Sequence, residues 1–216
     1  MKISAVIFDL DGTILEDEDE YGKAFNKVLK SLGVDSKTLT PQIRGIGVKE
    51  NWPGLIKKYG IQTNKSVEEL AKITQEAYLL EINTVTVRTG FEDFVHDLKD
   101  GGVQIALATS NTREVTEKIL KRVGIEGVFD IITTVEEVAF SKPDPGLFIR
   151  AADRLGAERE ECLVIEDAPS GVAAAKLAGM KVIAISDKVE DEKILAEADL
   201  TTEGFAEITP KVIEGL

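Results

Sequence analysis

Residues 3–13 read ISAVIFDLDGT, from Ile3 to Thr13. Ile3, Ala5, Val6, Ile7 and Phe8 form a short, nearly continuous apolar run, the pattern of a strand buried on both faces of a parallel sheet. The run ends in Asp9-Leu10-Asp11-Gly12-Thr13. Two carboxylates therefore follow the carboxyl end of a central strand, where open α/β sheets place their ligands. Gly12 permits a sharp turn, and a turn beginning at Asp9 brings both carboxyl groups to one pocket. Two carboxylates without a cation repel, and one is driven neutral. A hard divalent cation such as Mg2+ resolves the conflict, because it takes oxygen ligands and needs only one or two carboxylates. The same pentapeptide also suits a plain turn, since Asp and Gly are common turn formers, so the rest of the chain has to decide.

The length of 216 residues allows one large domain or a domain with an insert. A hydrophobic fraction of 43% is ample for a packed core. The formal net charge of −13 speaks against general nucleic-acid binding. It says little about small phosphate esters, because a metal and one or two lysines invert the field locally. The single cysteine, Cys162, excludes an internal disulfide and opens an apolar run, which reads as a buried, inert thiol. No signal-like segment precedes the first strand, and no apolar stretch reaches membrane-spanning length. The expectation is a soluble, cytoplasmic monomer with no membrane partner.

After Ile14-Leu15 come five acids, Glu16 to Glu20, read as the first turn of a helix whose positive end they favour. Tyr21, Phe25, Val28, Leu29 and Leu32 follow at helical spacing and Gly33 ends the element. Thr40-Pro41 suggests another helix start. Arg44-Gly45-Ile46-Gly47 interrupts, and Pro53 begins or kinks a short helix ending at Lys57, Lys58 and Gly60. Ser66-Val67-Glu68-Glu69 carries the spacing of a capping box, continued by Leu70, Ile73, Ala77 and Leu80. Residues 15–86 are thus expected to be helical, without a convincing strand. From Val87 the rhythm alternates. Strands are expected at 103–108, 129–132, 162–165 and 182–185, with an edge strand at 199–201. Helical faces lie between them, and Ile194 and Leu195 sit in the last clear helix. Such alternation predicts a doubly wound parallel sheet, an α/β core interrupted by a helical insert after the first strand.

Three more strand ends carry polar groups. Thr109-Ser110-Asn111-Thr112 offers hydroxyls and helix-leading N–H groups to phosphate oxygens, or simply an N-cap. Lys142, between Ser141 and Pro143-Asp144-Pro145, is either a fixed cation for a phosphoryl group or a solvated surface lysine. Glu166-Asp167 follows the apolar run Val164-Ile165, where acids are costly unless paired or metal-bound. Asp167 is either the third candidate metal carboxylate, with Glu166 assisting directly or through water, or simply an N-cap in a turn.

Together DLDGT, Thr109 after a hydrophobic strand, Lys142-Pro143 and Glu166-Asp167 resemble, in order and context, the four motifs of the haloacid dehalogenase superfamily. The resemblance spans nearly the whole chain. The insert resembles the helical cap of the β-phosphoglucomutase and phosphoglycolate phosphatase-like branch. It implies a Rossmann-like core at 1–14 and 88–216 and a cap at 15–87. It implies that Asp9 is the nucleophile forming an aspartyl-phosphate and Asp11 the acid and then base. It implies Mg2+ held by Asp9, Asp11 through its carbonyl, Asp167 and Glu166. Thr109, Ser110, Asn111 and Lys142 would hold the phosphoryl group. Arg44 resembles the basic residue of cap loops, so Arg44 and Lys49 would meet the leaving group, with Arg88 at the return hinge a further candidate. Residues 14–17 and 85–90 are the expected hinges. Mutases of this branch carry a histidine early in the first cap helix; here Glu20-Tyr21-Gly22 stands there, and the lone His96 belongs to an exposed helix face. The resemblance therefore implies a phosphatase acting on a small phosphorylated metabolite, a sugar phosphate or a phosphoglycolate-like ester. A phosphoglucomutase-type transferase and a non-catalytic regulator are the alternatives.

Overall fold

Strand β1, Ala5–Phe8, has no exposed residue and is flanked by strands on both sides. A computed structural model describes residues 3–34, 42–186 and 195–216. Thr40-Pro41 and Ile194, read above as helix positions, lie outside the described residues. Beside β1 run β4, Gln104–Thr109, and β6, Cys162–Glu166. The sheet is completed by β5, Ile131–Thr134, β7, Lys181–Ile185, and β8, Leu200–Thr202, in the order β5-β4-β1-β6-β7-β8. All pairs are parallel. The strand order reverses at β1, so the carboxyl ends of β1, β4 and β6 open onto one crevice.

The alternating pleat gives the sheet two unlike faces. Val6, Phe8, Ile105, Leu107, Leu163 and Ile165 face one way, toward α4, Phe91–Asp100, and α5, Arg113–Val123. Phe8 meets Phe91 edge-on at 5.6 Å and Phe94 at 6.0 Å, which fixes the strand one residue before Asp9. The opposite face carries small residues, Ala5, Ala106, Ala108 and Ala184, against Ala151, Ala152, Ala174 and Ala175. Small side chains on both sides let α6, Gly146–Leu155, and α7, Pro169–Leu177, pack closely on the strands. That closeness brings the segments before both helices over the sheet's carboxyl edge. A short α8, Pro210–Glu214, ends the described chain. Leu195 lies in a turn rather than in a helix.

The insertion contains α1, Glu18–Ser31, α2, Val48–Tyr59, and α3, Val67–Glu81. The expected capping box is present: Ser66 Oγ accepts from Glu69 N–H at 3.1 Å and Glu69 from Ser66 N–H at 2.7 Å. Trp52 is fully buried, packs 5.7 Å from Phe25 and donates to Thr74 Oγ1 at 3.1 Å, tying the three helices together. Pro53 lies inside α2. One expectation is corrected. The insertion is not strand-free, because β2, Leu15–Glu16, pairs antiparallel with β3, Thr86–Val87. Two residues per strand are too few to show an alternating pattern. The ribbon carries both chain crossings between the sheet and the helices.

Candidate active site

Asp9 leaves β1 with its N–H bonded to Ile165 O at 3.0 Å and its side chain buried. Lys142, on the turn before α6, is fully enclosed. Its ammonium donates to Asp9 Oδ1 and, at 2.8 Å, to Glu166 Oε1, and lies 4.9 Å from the Phe148 ring centre. Burial works against the charged ammonium, but Asp9 and Glu166 outweigh it and hold the Lys142 pKa above its ordinary value. Burial likewise pushes the Asp9 carboxyl up to about 7, against the pull of Lys142.

Glu166 is wedged under α7. Its Oε2 accepts from Asp167 N–H and Ala168 N–H, both at 2.7 Å, and a Cβ on Gly171 would come within 1.6 Å of Oε1. Glycine is the residue that fits there. Asp167 is buried, accepts from Thr13 Oγ1 at 3.1 Å and abuts Gly12, whose added Cβ would lie 2.4 Å from Asp167 Oδ2. Oxygens of Asp9, Glu166 and Asp167 approach within 4.8 Å of one another. Burial, then Glu166 and Asp9, raises Asp167 well above the usual carboxylate range. Lys142 pairs with Asp9 and Glu166 but not with Asp167, so the three buried acids form an all-oxygen donor set with unbalanced negative charge that fits a hard divalent cation. The Asp11 carboxyl is not in that trio, leaving its main-chain carbonyl as the part the resemblance would give to a metal.

Asp11 instead turns toward the loop after β4. Its Oδ2 accepts from Asn111 Nδ2 at 2.7 Å, and Asn111 Oδ1 accepts from the Tyr21 hydroxyl of α1 at 2.8 Å. Burial, followed by the neighbouring Asp17 carboxyl, holds Asp11 well above its ordinary pKa and favours the protonated acid. Thr109 is buried and its Oγ1 accepts from Asn111 N–H at 3.1 Å. Ser110 Oγ is buried without a protein partner and lines the same cavity as Asp9 and Asp11. Asn111 and Lys142 thus bond the two aspartates, Ser110 lines their cavity, and Thr109 supports Asn111 from behind.

Of the acidic run, Glu18, Asp19 and Glu20 occupy the first turn of α1 as expected, whereas Glu16 lies in β2 and Asp17 turns elsewhere. Asp17 is 1% exposed and makes no cap bond to α1. It accepts from Gly12 N–H at 3.0 Å and from Tyr78 OH at 2.5 Å, joining the Asp9–Thr13 turn to α3. Arg88 is corrected too. Its guanidinium donates to Gly12 O at 2.7 Å and Thr13 O at 3.0 Å, so it holds the turn rather than meeting a leaving group. Neither role has a sequence signature, since each depends on which main-chain atoms the fold brings near.

From the insertion, Arg44 reaches the cavity and its Nε lies 3.4 Å from Glu18 Oε1. Gly45 has φ +75, and a Cβ there would meet Ala168 Cβ at 2.3 Å, so the loop sits directly on the segment before α7. Lys49 is not brought to the aspartates. Its Nζ pairs with Glu68 at 2.8 Å on a separate, solvent-facing cleft. Helical periodicity turns residue 49 away from the loop that Gly47 ends. Asn51, unremarked in the sequence, is buried and accepts from Ile43 N–H at 2.6 Å while donating to Gly47 O at 3.1 Å. It fixes the loop that forms the cavity wall. His96 is exposed beside Asp100, as expected.

Residues 6–185 match the haloacid dehalogenase-like hydrolase family. The phosphorylated carbohydrates phosphatase of Thermotoga maritima is 30% identical over 199 residues, 91% of each chain. CbbY of Rhodobacter sphaeroides in complex with phosphate matches with a TM-score of 0.85 at 25% identity, over 98% of this chain and 99% of that one. The β-phosphoglucomutase of Clostridium difficile matches with a TM-score of 0.86 at 25% identity, over 99% and 96%. The chain belongs to the haloacid dehalogenase-like hydrolases. Within them it is a phosphoric monoester hydrolase. No helix among the described residues is long and apolar enough to cross a membrane.

Proposed function

We propose that the protein is a Mg2+-dependent phosphatase that cleaves a small phosphomonoester through an aspartyl-phosphate on Asp9. The observation that carries this reading is the buried Asp9–Lys142–Glu166 arrangement beside Asp167, with the separately held acid Asp11 two residues on. Asp9 attacks phosphorus, the bond to the leaving oxygen breaks, and Asp11 gives that oxygen its proton. Water then attacks the same phosphorus, Asp11 takes its proton, and Asp9 and inorganic phosphate are released. Lys142, Thr109, Ser110 and Asn111 orient the phosphoryl oxygens. Asp9, Asp167, the Asp11 carbonyl and Glu166, directly or through water, would hold the cation. When bound, it supplies charge neutralisation for the phosphoryl group.

Residues 15–87 serve as a cap on the core formed by 1–14 and 88–216, hinged at the β2–β3 ribbon. Closure brings Tyr21 and Gly45 onto the core and excludes water from the first step. The substrate is a phosphorylated sugar or similar metabolite, as the name of the Thermotoga maritima relative suggests.

The test is phosphate release from sugar phosphates, phosphoglycolate, nucleotides and p-nitrophenyl phosphate, with Mg2+ and with EDTA, for the native protein and Asp9→Asn. Release that needs Mg2+ and disappears in Asp9→Asn is expected. Interconversion of glucose 1-phosphate and glucose 6-phosphate without phosphate release would replace this reading with the mutase one.

A further inference from the structure

The cavity above Asp9 has two unlike ends. The core end carries Asp9, Asp11, Ser110 and Asn111. The opposite wall comes from the insertion and is largely apolar, formed by Phe25, Ile43, Ile46 and Val48. The polar groups on this second wall determine what leaving group it accepts.

Cations there are committed. Arg44 lies against Glu18, which lines the cavity with it. Lys49 is held outside by Glu68, and Arg88 is occupied by the Gly12 and Thr13 carbonyls. Asn51 spends its amide on the main chain of its own loop. What remains is an acceptor. Gln42 donates through Nε2 to Glu18 O at 3.1 Å, and its Oε1 is buried with no partner. Buried acceptors left unpaired are unfavourable until a donor arrives.

Resting on the phosphatase reading, we infer that the preferred substrates are phosphomonoesters of uncharged, hydroxylated alcohols, and that esters carrying a second anionic group are rejected. A hydroxyl of the leaving group donates to Gln42 Oε1, and its carbon face lies on Ile43, Ile46 and Val48. A carboxylate or second phosphate would have to displace Glu18 from Arg44 and would sit beside the displaced carboxylate. Placing like charges together in a confined cleft discriminates strongly between ligands.

Two pairs of substrates that differ mainly in the second anion test this: glycerol 3-phosphate against 3-phosphoglycerate, and fructose 6-phosphate against fructose 1,6-bisphosphate. With Mg2+ present, kcat/KM is expected to favour the uncharged alcohol by at least about tenfold in each pair. Glu18→Gln, checked for native circular dichroism, should shrink that ratio by releasing Arg44 toward the anion. Equal or faster turnover of the anionic members, or an unchanged ratio in Glu18→Gln, overturns the inference. Turnover of p-nitrophenyl phosphate with none of the four overturns it while leaving the phosphatase reading standing. No turnover of any ester, p-nitrophenyl phosphate included, removes both.

Discussion

Tyr21 of the helical insertion donates its hydroxyl to Asn111 of the sheet loop at 2.8 Å, and Asn111 passes its own amide to Asp11 at 2.7 Å. One of the contacts that join insertion to core therefore also orients the proposed acid. Tyr21 stacks on Tyr78 at 3.8 Å, a contact that Tyr21→Phe retains. The variant should fold normally but leave the Asn111 amide free to turn. Proton donation matters for a poor alkoxide leaving group and little for p-nitrophenolate. Tyr21→Phe is accordingly expected to lower kcat for sugar phosphates about tenfold and to leave p-nitrophenyl phosphate nearly unchanged. Equal losses on both substrates would mean that Tyr21 only supports packing.

Gly171 sits where a Cβ would overlap Glu166 Oε1 at 1.6 Å, and Glu166 has no exposed surface. Gly171→Ala forces Glu166 off Lys142 or α7 off the sheet. Overpacking of this kind costs about 1–3 kcal/mol, a fall in Tm of roughly 2–10 °C at this chain length. Because Glu166 shares Lys142 with Asp9, activity at 25 °C should fall further than the stability loss explains. A native Tm with native activity would show that Glu166 does not occupy the space beside α7.

What could be read from the sequence had short-range signatures. The apolar β1 run followed by Asp9 and Asp11 marks a strand and its functional end, and Lys142 stands out just before Pro143 and Pro145. Glu166 and Asp167 are conspicuous after four buried apolar positions. The sheet follows from these, and the grouping of the polar strand ends around Asp9 follows from the family resemblance that their order carries. What stayed hidden depends on tertiary placement. Asp17 looks like one of five equivalent acids, yet it alone turns under the Asp9–Thr13 turn to meet Gly12 and Tyr78. Arg88 looks like a substrate cation until the fold puts two carbonyls before it. Lys49 is close in sequence to Gly47 but lies on the far side of α2. β2 and β3 are visible only as a pair, because each needs the other to exist.

Cys162 is buried, and its thiol bonds to Glu158 O at 3.3 Å. Burial, with Glu161, Glu160 and Glu158 nearby, pushes its pKa up to about 11 from 9.0. At pH 8 the thiolate fraction is then about a hundredfold below that of an unperturbed thiol, before restricted access is counted. Labelling by a disulfide reagent should be negligible in the native protein and stoichiometric in 6 M guanidinium. Rapid labelling of the native protein at pH 8 would contradict this environment.

The carboxyls around Asp9 link metal binding to pH. Asp9 is raised to about 7, and Asp11 and Asp167 are raised well above the usual range, with burial the first cause in each case. A carboxyl with a raised folded-state pKa holds more protons in the folded chain than in the unfolded one, so stability falls as pH rises. For Asp9 the fall begins as the unfolded group ionises near 3.8 and levels off above about 7. A cation bound by the ionised carboxylates offsets this loss in the folded chain only. The metal-free Tm is therefore expected to drop between about pH 5 and pH 7.5, while the gain on adding Mg2+ grows over the same interval. At pH 7.5 and a hundredfold excess over Kd the gain corresponds to about 2.7 kcal/mol, or roughly 5–10 °C. Thermal melts in EDTA and in Mg2+ across this range check it. A Mg2+ gain that is the same at every pH would mean that the cation does not bind through the carboxyls of Asp9 and Asp167.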